Sequence, residues 1–221
     1  MRRPAFAELG RSHLDLAWAL LLPYLVIRGR GDVDDYHDAT LVASQRAGFP
    51  RALEVVPYRA LDYAYFAQRS GLSASGSDQI STLLEATYAA RASCAYVVND
   101  ESAYALTHAV FYASGFGQER LNDSQLRNAA EIIDSMIVDC AVRRHYDLLG
   151  ELLIASVVVP GTRREVRELG VPVFFSTLDE SGSLMPNNNV QSSRNFDTCY
   201  HTTMVGLILC ASIARATFEK S

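Results

Sequence analysis

Two histidines and two carboxylates stand out because each interrupts a stretch of hydrocarbon. His201 follows "FDTCY" and precedes an apolar run from Met204 to Ala214. His108 lies in "AYALTHAVFYA", and Asp147 and Glu151 lie four residues apart in "HYDLLGELLIAS". On a helix that spacing puts both carboxylates on one face, one turn apart. A carboxylate in an apolar wall is costly unless it is paired. His108, His201 and Arg59 are the available partners, and a carboxylate–imidazole pair orients a general base. The chemistry this set points to is proton transfer, with His201 and His108 as the acid–base pair and Glu151 or Asp147 orienting them. Arg59 and Tyr104 are the residues expected to contact a carboxylate or carbonyl of the substrate.

The position of His201 sharpens the expectation. A cation in the first turn of a helix opposes the helix dipole, so the imidazole there is favoured neutral, as a base must be. A purely structural reading accounts for part of the same set. Acids such as Asp15 and Asp147 complement the dipole and cap free N–H groups. A buried imidazole can also be satisfied by a neighbouring carbonyl.

A metal is the alternative chemistry. Asp197, Cys199 and His201 alternate at a spacing of two. On a helix Asp197 and His201 share a face and Cys199 points about 160° away. If the stretch before Tyr200 is not helical, Cys199, His201 and His108 can form a three-ligand zinc site with one open position. No CxxC or HExxH pattern supports it. No other cofactor motif is present: "ASGFG" lacks the spacing of a nucleotide loop, no G-x-S-x-G elbow occurs, and paired E-x-x-H motifs are missing. Asp34, Asp35, His37 and Asp38 read as a solvated helix face, and so do Arg163, Arg164 and Arg167.

The elements that must position these side chains are helices. Five segments are apolar nearly all round and should be buried on every side: Leu14–Ile27, Tyr58–Ala67, Tyr104–Ala113, Leu148–Val159 and Met204–Ala214. Four amphipathic segments alternate with them: "VDDYHDATLVASQRAG", "SDQISTLLEATYAARAS", "NDSQLRNAAEIIDSMIVDCAVRRH" and "TRREVRELG". Capping signals fall at Asn99 or Asp100, at Asn122 or Asp123, and at Thr162. Gly29, Gly48, Gly71, Gly117 and Gly170 are the expected stops. "VPVFFSTL" is expected to be irregular or helical. Ser181–Asp197 is a long polar loop of the kind that covers a site. The predicted fold is all-α, a single domain over 1–221. Antiparallel helical hairpins form an α/α barrel or an open section of one, with apolar helices inside and amphipathic ones outside. In such a ring the inner helices run parallel, and their polar N-terminal halves meet at one end.

Composition bounds the function. The chain has 221 residues, a net charge of -5 and no basic block, which argues against nucleic acid as a partner. Lys220 is the only lysine among 20 basic residues, a mark of a GC-rich genome. The apolar runs fall short of the roughly 18 residues that span a bilayer, and acids precede the N-terminal one, so neither a membrane nor a signal peptide is expected. Four cysteines without paired spacing read as free thiols in a reducing cytoplasm.

At "AYALTHAVFYASGFG", "YDLLGELLIAS" and "CYHTTMVGLI" the chain resembles an uncharacterised all-helical family of actinobacterial proteins associated with specialised metabolism. The resemblance directs attention to His108, Asp147, Glu151 and His201 without assigning them roles. Where that family is expected to carry Thr-Asp-Phe-Gly, this chain has Ser114-Gly115-Phe116-Gly117. The alternating helices also resemble α/α-toroid enzymes in architecture alone. The expectation is a small helical-barrel enzyme acting on a hydrophobic intermediate, free or carrier-bound, by cyclisation, hydrolysis or isomerisation. The alternative is a non-catalytic helical module that binds a carrier protein or partner enzyme.

Overall fold

A computed structural model describes residues 22–47, 55–71, 77–95, 98–119, 121–126, 128–187 and 196–218. All the regular structure among them is helical; the one β feature is an isolated bridge between His145 and Asn187. The named helices are α1 (Asp35–Arg46), α2 (Pro57–Arg69), α3 (Ser77–Glu85), α4 (Tyr88–Arg91), α5 (Asp100–Ala113), α6 (Asp123–Leu126), α7 (Ala129–Arg143), α8 (Tyr146–Val158), α9 (Arg164–Phe175) and α10 (Phe196–Phe218). The chain divides into two compact units, Met1–Leu83 and Leu84–Ser221.

In the first unit, residues 22–28 are helical, and the rest of the expected helix over 14–27 lies outside the described residues, as do His13 and Asp15. The cluster Asp34, His37 and Asp38 is a joint rather than a solvated face. Asp38 accepts from Arg28 Nε at 2.8 Å and from the Tyr24 hydroxyl at 2.7 Å, while His37 is buried and bonds Asp34 Oδ1 at 2.9 Å. On α2, which starts at Pro57, Arg59 donates to the fully buried Asp62.

The second unit is organised round α8. This helix is apolar enough to bury every residue from Tyr146 to Ser156 except Asp147, and it packs against α5, α7, α9 and α10. Each buried leucine contributes about 2 kcal/mol through the surface it removes from water. Close approach is built into the sequence at Gly150. A Cβ there would lie 2.4 Å from Phe174 on α9 and 2.6 Å from Val205 on α10, so only glycine admits both neighbours.

Three local expectations change. The helix expected from Asn122 is two pieces, α6 and α7. Between them Asn128 turns its amide to the carbonyls of Ala92 and Ser93. Gly170 does not end a helix. It lies inside α9, pressed on Leu153 and Ile137, and α9 continues through Pro172 to Phe175. Thr162 is not the cap of α9: its hydroxyl turns back to Ser156 O and Val159 O, and the buried Asp134 receives the Arg163 N–H and guanidinium instead. Asn99 does cap α5, accepting from Ser102 N at 2.8 Å.

α10 is the largest departure from the expected burial. Thr202, Val205, Leu209 and Ser212 face inward, but Tyr200, Met204, Leu207 and Phe218 are exposed. It is also, among the described residues, the one helix long and apolar enough to cross a membrane.

Candidate acid–base site

The site grows from the parallel packing of three helices. Tyr104 on α5 meets Asp147 on α8, and Thr107, one turn on, meets Glu151, one turn on. Contacts that advance together on both helices mean that the helices run the same way. The same holds for α8 and α10: His201 and Thr202 meet Asp147, and Val205 stands against Gly150. The N-terminal turns of α5, α8 and α10 therefore gather at one end of the unit.

Asp147 is the hub. Its Oδ1 accepts from His201 Nδ1 at 2.7 Å and from the Thr202 hydroxyl at 2.7 Å; its Oδ2 accepts from the Tyr104 hydroxyl at 2.9 Å. Its own backbone N–H donates to Pro186 O; residues 188–195 of the expected covering loop lie outside the described residues. Burial pushes the Asp147 carboxyl up, but the His201 and Thr202 hydrogen bonds outweigh it and hold its pKa below the ordinary value. Burial and the adjacent carboxylate push the Tyr104 phenol well above its usual range, so it stays a donor.

The Asp147 hydrogen bond fixes the His201 ring. With Nδ1 committed to the carboxylate, Nε2 points toward Glu151 Oε1 at 3.8 Å. The bond to Asp147 raises the imidazole pKa, outweighing burial. Glu151 is 2% exposed, and burial raises its carboxyl from 4.5 to about 7. Thr107 Oγ1 lies 2.6 Å from Glu151 Oε2 and 3.0 Å from Tyr104 O. A hydroxyl has one proton, so when Thr107 serves the Tyr104 carbonyl, a protonated Glu151 can donate to it in turn. His108 Nε2 stands 4.0 Å from Glu151 Oε1, its ring stacked between Tyr104 and Tyr112. Both shifts favour the protonated form: burial holds a proton on Glu151, and the bond to Asp147 favours one on His201.

Five of the six side chains singled out from sequence, Tyr104, His108, Asp147, Glu151 and His201, come together here. Tyr104 is engaged with Asp147. Arg59 belongs to the first unit, where it pairs with Asp62. Thr107 and Thr202 complete the hydrogen bonding; as polar residues beside the histidines they were visible in the sequence but had no role.

Asp147, Glu151 and His201 offer ligand atoms within 4.8 Å of one another, so a divalent cation could be held there. The bonding opposes using all three as ligands, since Asp147 already accepts three hydrogen bonds from protein donors. The expected zinc set fails at Cys199. α10 is helical from Phe196, so the thiol turns away, into contact with Met185 Sδ at 3.4 Å.

The sequence pattern of the family described as Domain of unknown function (DUF6895) matches residues 1–211. No curated protein and no solved structure matches the chain.

Proposed function

The chain belongs to the DUF6895 family, and from that premise we propose that it is an enzyme that moves protons on a hydrophobic small molecule. His201 is the base, Asp147 the positioning residue that fixes its tautomer, and Glu151 the acid. One observation carries this reading: the Nε2 of His201, whose other nitrogen is tied to Asp147 at 2.7 Å, faces a buried Glu151 across 3.8 Å. A carboxyl raised to about 7 by burial, facing an imidazole oriented by a second carboxylate, is an arrangement that proton transfer favours. His108, stacked among aromatic rings beside Glu151, would orient the substrate or share the proton. The apolar helices supply a setting for a substrate such as a biosynthetic intermediate, free or carrier-bound; cyclisation and isomerisation fit best, because both need only proton transfer. An α/α barrel is one form the helical hairpins could complete, but the reading does not need it, since the site residues lie in one unit.

The test is comparative. Wild-type protein and His201→Gln are incubated with apolar metabolite extracts in deuterium oxide and read by mass spectrometry. Deuterium placed on carbon by the wild type and not by the variant supports the proposal. Equal labelling by both, or none by either, contradicts it.

A further inference from the structure

The exposed face of α10 is patterned. Tyr200, Met204, Leu207, Ala211, Ala214 and Phe218 follow one another at spacings of 4, 3, 4, 3 and 4, and all six are exposed. That is an unbroken seam of the kind two helices use to pack side by side, about 27 Å long at 1.5 Å per residue. The opposite face is spent on the chain's own core through Thr202, Val205, Leu209 and Ser212.

The order of sizes along the seam identifies the occupant. Turned end for end about a two-fold axis at Leu209, the stripe meets itself in three mirrored layers. Leu207 falls opposite Ala211, Met204 opposite Ala214, and Tyr200 opposite Phe218. Two of these layers set a large side chain against a small one, which is how facing helices interdigitate at native density. Two parallel copies would instead stack Ala211 on Ala211 and Ala214 on Ala214 and leave gaps beside the larger residues. A two-fold pair uses the same patch on both partners, so self-complementarity is the property to look for.

A lipid bilayer fits the stripe less well. The seam is narrow, its flanks carry Thr203, Arg215 and Thr217, and the reverse face is packed on protein.

We propose that α10 is a homodimerisation surface: two copies of this chain pair antiparallel along Tyr200–Phe218 about a two-fold axis near Leu209. Cys210 is exposed and flanks the seam one residue from that axis, so the two copies bring their Cys210 thiols close together.

The experiment uses the full chain. Sedimentation equilibrium is run on wild type, Leu207→Lys and Ala211→Arg, with circular dichroism and urea unfolding to check each variant's fold. Both positions are exposed, so neither substitution burdens the core. Copper-phenanthroline oxidation is run on wild type and on Cys210→Ser. The expected result is a micromolar or tighter wild-type dimer, at least ten-fold weaker association in both variants, and a disulfide-linked dimer that Cys210→Ser abolishes. A wild type that stays monomeric at 100 μM overturns the proposal. So does a dimer that both variants leave intact, or a chain that partitions into phosphatidylcholine–phosphatidylglycerol vesicles through Leu207 instead of pairing.

Discussion

Replacing Glu151 by glutamine should stabilise the protein, and by more at high pH than at low. The raised carboxyl sets the sign: the folded protein holds this proton more tightly than the unfolded chain, so the group favours folding in acid. As pH rises past the unfolded value of 4.5, ionisation begins to favour the unfolded state, and the penalty is complete above the folded value of about 7. A gap of 2.5 pH units corresponds to about 3 kcal/mol, a large share of the stability of an ordinary domain. Glutamine matches the shape of glutamate, keeps a partner for Thr107, and has no proton to lose. The variant should therefore match the wild type near pH 4.5 and exceed it by up to about 3 kcal/mol by pH 8.5, a urea-midpoint difference of about 1 M or more. His201 reinforces the wild-type trend: its raised pKa contributes stability present below the unfolded value and lost as pH rises through the folded one. Urea unfolding followed by circular dichroism at pH 4.5, 6, 7 and 8.5 reads the difference directly. A variant less stable than wild type at pH 8.5 would refute the reasoning, because it would mean that ionised Glu151 is stabilising and is paired with an imidazolium.

Other expectations follow from packing and capping. Gly150→Ala drives a methyl into Phe174 and Val205 and should destabilise the fold by about 1–3 kcal/mol or more in urea unfolding; a neutral result would mean that α8, α9 and α10 do not meet there. Asp134→Ala leaves the Arg163 N–H without its carboxylate and should cost about 1–3 kcal/mol. Hydrogen exchange should show the loss at residues 163–167, and exchange unchanged there would show that α9 does not depend on this contact.

Why the clustering of the candidate residues could be read from sequence and parts of the fold could not is a matter of local versus distant causes. Asp147, Glu151, His108 and His201 are polar exceptions in apolar helices, and an exception in such a setting must find a partner; the partners turned out to be one another. Tyr104 was read as a substrate contact because nothing local showed that its hydroxyl would reach a carboxylate 43 residues away. Asp134 lies in a segment read only as amphipathic, and nothing local marks it as buried and anchoring the start of α9. Gly170 has the sequence signature of a helix stop, but the space beside Leu153 and Ile137, set by tertiary packing, keeps it inside α9. α10 misled in the other direction. Apolar residues all round suggest burial all round, yet its Tyr200–Phe218 stripe faces outward, which composition alone cannot distinguish from core.

The proposed chemistry depends on the tautomer of the His201 ring, which nitrogen NMR reads. Long-range proton–nitrogen spectra of 15N-histidine-labelled protein are recorded across pH for the wild type and Asp147→Asn. Neutral His201 should carry its proton on Nδ1, the ring should titrate above the ordinary imidazole value of 6.5, and this pKa should fall in Asp147→Asn. A proton found on Nε2 of the neutral ring, or a titration that Asp147→Asn leaves where it was, would contradict that chemistry.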